Sequence, residues 1–274
     1  MSPNRPPRLA YLWLLLTTAL MFAPLAWMVL TSLKTSEQLT TDPFSWWPQP
    51  WRWENYAEAV RAIPFVRYLA NSILLCLGSV AGTLVSCSLV AYGFARVRWP
   101  GRDLVFALLI ATMLLPWQVT MAPRFLVIRE LGLYDSLAAL IVPKFLGEAF
   151  YIFLLRQFFL TVPQEMIDAA RVDGCSELGV LVRVMLPLAR PALATVALLE
   201  FVAAWNDYGG PLLYLNDPQR FPLAYGLEQF VSAHSSEMNL LLAAATLFTL
   251  PIVVLFLLAQ RTFVRGITTT GLKG

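Results

Sequence analysis

Three ionisable residues sit inside long apolar stretches: Lys144 and Glu148 in one, Glu200 in another. In such surroundings carboxylates and an ammonium can pair with one another, hydrogen-bond a polar solute, or relay protons. Lys144 and Glu148 are four residues apart and can pair across one helical turn. Glu200 has no partner on its own stretch, since Arg190 is too far along it. Asn71, Gln118, Asn206 and Asp207 lie near the ends of apolar stretches, and Trp205 adjoins the last two. Amides, carboxylates and an aromatic face are the groups that hold sugars. Asn71, Gln118, Glu148, Glu200, Trp205, Asn206 and Asp207 are therefore candidates to line a solute path.

Covalent, metal and phosphate chemistry find no footing. The single histidine, His234, has no Cys or His beside it, so no metal site is expected, and no catalytic residue or cofactor either. Cys76, Cys87 and Cys175 are odd in number and suggest no disulfide framework; they read as small apolar residues. No G-x-x-x-x-G-K-[ST] occurs, so nothing cradles nucleotide phosphates. If ATP drives this protein, the energy arrives through a partner.

The elements that position these groups follow from composition. Of the 274 residues 58% are apolar and 14% charged, against about 25% charged in soluble domains. Mean hydropathy is +0.64. The net charge of +3 offers no basic patch for nucleic acid. A span needs about 20 mostly apolar residues. Six stretches qualify, at about 9–32, 70–95, 103–123, 136–156, 187–208 and 239–261. The fold expected is an all-α integral membrane protein with one transmembrane domain over 1–274. The first stretch exceeds a signal-peptide core and lacks a clear cleavage site, so it reads as an uncleaved span. No internal repeat is visible, which disfavours a carrier built from duplicated halves.

Lys and Arg set the orientation. With the N-terminus inside, twelve fall in inside segments and seven in outside ones, which puts both termini and residues 157–186 in the cytoplasm. Two outside loops are long. Residues 33–69 carry Trp46, Trp47, Trp51 and Trp53, either an interfacial belt or a face for a partner. Residues 209–238 are rich in turn formers, and loops of this length are often functional. Gly78 and Gly82 form a GxxxG pair for close helix packing. Pro24, Pro116, Pro143 and Pro251 are candidate kinks.

The cytoplasmic segment contains a second cluster, "EMIDAARVDGCSE" at 165–177. Pro163, Gln164 and Glu165 favour a helix start. A short helix over 164–173 then ends at Gly174 in the left-handed conformation. Ile167, Ala170, Arg171 and Gly174 share one face, and Ala169 and Ala170 would permit close approach. A second helix over 176–185 leads to Pro187 and Pro191. Such a helix–turn–helix is either a solvated interfacial loop or a docking knob.

The spacing Asp168-Ala169-Ala170, three residues, Gly174, nine residues, Val184, one residue, Leu186-Pro187 resembles the EAA loop of ABC-importer membrane subunits. Asp168 stands where the family has Glu, and Val184 where it has Ile. "FARVRWPGRD" (94–103), "LPWQVTMAPRFLVIRELGLYDSLAALIVP" (115–143), "WNDY" (205–208) and "QRTFVRGITTTGLKG" (260–274) are similar to the carbohydrate branch, the second permease of maltose-type systems. The resemblance covers nearly the whole chain. It implies six transmembrane helices in the inner membrane, with a cytoplasmic EAA-type coupling helix between the fourth and fifth. It further implies a heterodimer with a second permease subunit, two ATP-binding cassette subunits and an extracytoplasmic solute-binding protein. Asp168, Ala169, Ala170, Asp173 and Gly174 would contact the ATPase. Residues 209–238 would meet the binding protein, and residues 266–274 would reach between the ATPase subunits. The alternatives are an ion-coupled secondary carrier using Lys144, Glu148 and Glu200, and a non-transporting scaffold.

Overall fold

The computed structural model describes residues 8–233 and 237–270. The described residues are helical with short connections, in the order α1 (Arg8–Ser32), α2 (Ser36–Thr41), α3 (Glu54–Ala62), α4 (Phe65–Arg96), α5 (Arg102–Ala111), α6 (Trp117–Glu130), α7 (Ala138–Ile141), α8 (Ala149–Thr161), α9 (Gln164–Val172), α10 (Glu177–Val180), α11 (Leu186–Leu188), α12 (Arg190–Trp205), α13 (Gly209–Tyr214), α14 (Leu223–Ala233) and α15 (Met238–Thr270). Four helical stretches are long and apolar enough to cross a membrane: Leu9–Ser32, Phe65–Arg96, Ala138–Thr161 and Met238–Leu258. Two bent pairs bring the number to six if each is one span.

The bends fall where the backbone cannot continue a helix. The stretch expected as one span at 103–123 turns by 104° between Leu114 and Trp117. Pro116 sits at the turn with ψ 144, and its missing N–H and ring end the preceding helix. The stretch 187–208 belongs to a pair bent by 81° at Ala189, just before Pro191. Between α7 and α8 the chain narrows to a 3-10 turn, Val142–Leu146, which includes Pro143. Gly147 follows at φ +91, and Glu148 is extended before α8 begins. Pro24 and Pro251 lie within continuous helices.

The chain forms two compact units. The smaller comprises residues 1–66 and 226–251. In it a polar network fixes the end of α1: the Asn55 amide donates to the Ser32 and Lys34 carbonyls at 2.8 and 2.9 Å, and the Asn239 amide donates to Asn55 Oδ1. Lys34 is fully buried, donates to the Pro43 and Ser45 carbonyls, and stands 4.5 Å from the Trp27 ring centre. Burial pushes the Lys34 ammonium pKa down, with Asp42 opposing. This ties down the loop that exposes Trp46, Trp47, Trp51 and Trp53.

The larger unit comprises 67–225 and 252–274. Its core joins the second half of α4 (Cys87, Ala91, Tyr92) to α8 (Tyr151, Leu155, Phe159), α9 (Ile167) and α12 (Val196). The GxxxG pair on α4 approaches the irregular stretch between α7 and α8. A Cβ at Gly78 would lie 2.9 Å from Ile141, and one at Gly82 would lie 2.7 Å from the Phe145 ring. One turn further, Ser86 Oγ donates to the Lys144 carbonyl at 2.9 Å. Small residues at 78, 82 and 86 thus let α4 seat a non-helical backbone.

Candidate functional site

The segment around α9 begins where Val162 and Pro163 separate α8 from α9, with Pro163 extended as the residue before the helix. α9 closes in a Schellman arrangement. The Cys175 N–H donates to the Ala170 carbonyl and the Gly174 N–H to that of Arg171, both at 3.0 Å, with Gly174 at φ +83. Ser176 caps the next helix, its Oγ accepting from the Gly179 N–H at 3.2 Å. The second helix expected over 176–185 is α over Glu177–Val180 and π-helical over Leu181–Met185.

The faces differ in part from the sequence expectation. Ile167 is fully buried, and Ala170 is buried beside it in the core. Ala170 therefore does not present its methyl outward as the spacing suggested; an amphipathic helix this short has only one stripe to give to the core. Asp168, Ala169, Asp173 and Gly174 remain exposed. Beside them stands Val172, 87% exposed, with Met166 and Leu178 also exposed. Sequence reading passed over these apolar side chains because it counted small and charged ones.

Charges stiffen this segment. Arg171 bridges Glu177 at 2.8 Å and Asp168 at 3.3 Å. Desolvation pulls the Arg171 pKa down, but Glu177, Tyr92 and Asp168 outweigh it and hold it above the ordinary value. Two residues of α4 grip the same region. The Tyr92 hydroxyl donates to Glu177 Oε2, and Arg96 donates to the Phe159 and Val162 carbonyls and to Gln164 Oε1 at 2.9 Å. Arg96 satisfies carbonyls left open where α8 ends. Neither α4 residue was singled out from sequence, although their four-residue spacing places both on one face.

In the spans, Lys144 and Glu148 pair at 3.2 Å, as their spacing allowed. Glu200 is not alone: folding brings Lys144 Nζ within 3.0 Å of its Oε1. Glu200 is 1% exposed, and Tyr151 and Cys76 neighbour it. The Glu148 N–H points at Cys87 Sγ, 3.4 Å away. The other candidates have different tasks. Trp205 is 1% exposed and stacks on Phe201, so its face is not open to a solute. The Asn206 amide donates to the Val202 carbonyl at 2.8 Å, and Asp207 caps the Gly210 N–H at 3.0 Å. The Asn71 amide holds the Gln219 and Phe221 carbonyls, both at 3.0 Å. Gln118 is exposed at the start of α6. Residues 271–274 of the tail lie outside the described residues.

The loop after α13 is clasped from the turn before α7. Asp135, at φ +55, accepts the Asn216 and Asp217 N–H groups at 2.9 and 3.0 Å and pairs with Arg220 at 3.1 Å. Those two N–H groups, helped by Arg220 and opposed by slight burial, hold its carboxyl pKa below the usual range.

Residues 76–269 match the family described as binding-protein-dependent transport system inner membrane component. The chain belongs to this family. It is a multi-pass inner-membrane subunit of an ABC importer of this kind. It is 30% identical to the arabinooligosaccharides transport system permease protein AraQ of Bacillus subtilis (strain 168), over 96% of this chain and 94% of that one. It is 32% identical to the sn-glycerol-3-phosphate transport system permease protein UgpE of Agrobacterium fabrum, over 98% and 99%. Its fold is similar to a chain in the crystal structure of a bacterial ABC transporter involved in the import of the acidic polysaccharide alginate. There the TM-score is 0.82 and the identity 25%, over 93% of this chain and 95% of that chain.

Proposed function

We propose that this permease moves a sugar or sugar-like solute, driven by a separate ATPase that docks on Gln164–Glu177. The carrying observation is the segment's construction. A short helix is held rigidly from behind by Ile167, Tyr92 and Arg96, while Asp168, Ala169, Val172, Asp173 and Gly174 are left exposed. A rigid, exposed knob transmits motion; a solvated loop needs no such bracing. The sugar class rests on relatives named for arabinooligosaccharides and diacetylchitobiose.

In this reading the six stretches span with both termini inside, a second permease completes the path, and paired ATP-binding cassette subunits sit on the cytoplasmic face. The solute-binding protein docks near 209–238. Asp168 keeps the charge of the family's Glu on a shorter arm, and its pairing with Arg171 draws it along the helix.

The test is Gly174→Arg and Asp168→Lys. Both are expected to reach the membrane, lose solute uptake and co-purify with less ATPase. Normal uptake and normal ATPase recovery in both variants would remove the docking role. Uptake by this chain alone in liposomes, abolished by an uncoupler, would favour the ion-coupled carrier instead.

A further inference from the structure

The named solutes of the relatives include neutral oligosaccharides and the anionic sn-glycerol-3-phosphate, so likeness leaves the charge of this chain's solute open. The residues in its spans speak to it. Lys144 is shared between Glu148 and Glu200, one cation for two carboxylates. Glu200 is sealed at 1% exposure, whereas the side chains of Glu148 and Lys144 are 46% and 31% exposed. Ionised side chains at membrane depth face protein or water rather than lipid.

The backbone makes the same point independently. Between Val142 and Glu148 the chain is a 3-10 turn, a left-handed glycine and an extended residue. Non-helical backbone is tolerated in a membrane only where protein buries it or it lines a water-filled cavity. Its α4 side is closed by Gly82, Ser86 and Cys87. It exposes Leu146 and Glu148. Glu200 adds a third sign: its Oε1 lies 3.0 Å from Lys144 Nζ, so a buried carboxyl holds the same ammonium that Glu148 reaches.

We propose that Lys144, Glu148 and Glu200 form a charge filter on the solute path, with the exposed carboxylate of Glu148 as its face. It passes neutral or cationic solutes, such as unmodified or amino sugars, and opposes acidic ones. This rests on the reading of the chain as a permease for sugar-like solutes. Glu148 would be a specificity-determining residue, and Lys144 and Glu200 would set its charge and position.

The test uses Leu146→Cys, at a position 82% exposed and two residues from Glu148, in a Cys175→Ser background. Membrane vesicles from the native host, carrying the assembled transporter, are treated with small cationic and anionic methanethiosulfonate reagents. The ratio of the cationic to the anionic rate, divided by the same ratio for a small free thiol, is expected to be about fivefold or more. Glu148→Gln should shrink that ratio, and Glu148→Lys should invert it. No excess over the free thiol in the parent, or a ratio indifferent to both substitutions, would overturn the filter. So would complete protection of the introduced thiol, since the cluster would then be closed to water. The docking variants at Gly174 and Asp168 report on ATP coupling alone, so the two readings fail separately.

Discussion

The Tyr92 hydroxyl donates to Glu177 Oε2 at 2.6 Å, joining a span to the segment beneath it across 85 positions of sequence. Glu177 is also held by Arg171, which reaches back to Asp168, so one chain of bonds links α4 to the exposed tip of α9. A hydrogen bond to a charged group contributes about 1.5–3 kcal/mol, less where the acceptor is half exposed as here. Tyr92→Phe keeps the ring in the core and removes only the bond. Thermal unfolding of the purified transporter should show a loss of about 1 kcal/mol. ATP hydrolysis should become less dependent on solute, because the knob is loosened rather than lost.

Ile167 holds the other side of the same helix. It is fully buried and sits with Tyr92, Phe159 and Val180 in one core. Ile167→Ala leaves a cavity and should cost about 2–5 kcal/mol. Ile167→Val should cost about 0.5–1.5 kcal/mol. If α9 is braced through this side chain, limited proteolysis at Arg171 should accelerate in the alanine variant and much less in the valine one.

How far the sequence carried this picture depends on what each feature needs. Gly174 and Pro163 act through their own backbones, so the turn and the start of α9 were legible from residue type. Lys144 and Glu148 pair as their spacing suggested, but across a break rather than a helical turn, so the pair was legible and its backbone was not. Glu200 finds Lys144 only when α12 packs against the α7–α8 break, and no local pattern carries that distance. Ala170 and Ala169 look alike in sequence, and which one the core takes depends on the angle at which α9 lies. The burial of Trp205 against Phe201 was hidden for the same reason: an aromatic residue beside Asn and Asp fits an open site as well as a buried stack. The break at Pro116 was visible as a candidate kink, but not its 104° turn.

The glycines of α4 offer a sharper contrast. A Cβ at Gly82 would lie 2.7 Å from the Phe145 ring and 3.2 Å from the Lys144 carbonyl carbon, while one at Gly93 meets nothing within 4 Å. Overpacking of this kind costs about 1–3 kcal/mol. Gly82→Ala should lower thermal stability and, by pushing the 142–148 backbone away, disturb the Lys144–Glu148–Glu200 cluster. Gly93→Ala should be neutral or slightly stabilising, since alanine favours helix. Equal behaviour of the two variants in a melting experiment would contradict the close approach of α4 to the break.

The clasp at Asp135 makes a prediction in pH. Asp135 has a folded pKa below its unfolded value of about 3.9, because the N–H groups of Asp217 and Asn216, then Arg220, favour its charged form. A depressed carboxylate pKa contributes stability that is fully present above the unfolded value. That stability is lost as pH falls through the folded value. The clasp should therefore be constant from neutral pH down to about 5, weaken below about 4 and be lost only as pH passes below the folded value. Asp135→Asn tolerates the left-handed backbone at φ +55 and keeps an acceptor oxygen for the two N–H groups. It removes the charge that Arg220 pairs with and the titration itself. The protection of the Asn216 and Asp217 N–H groups, the intrinsic exchange rate divided by the observed rate at each pH, should hold steady above about pH 5 and fall as pH drops below about 4 in the parent. In the variant, protection should be lower at neutral pH and nearly constant across that window. A parent profile that matches the variant's would show that the carboxylate does not hold the loop.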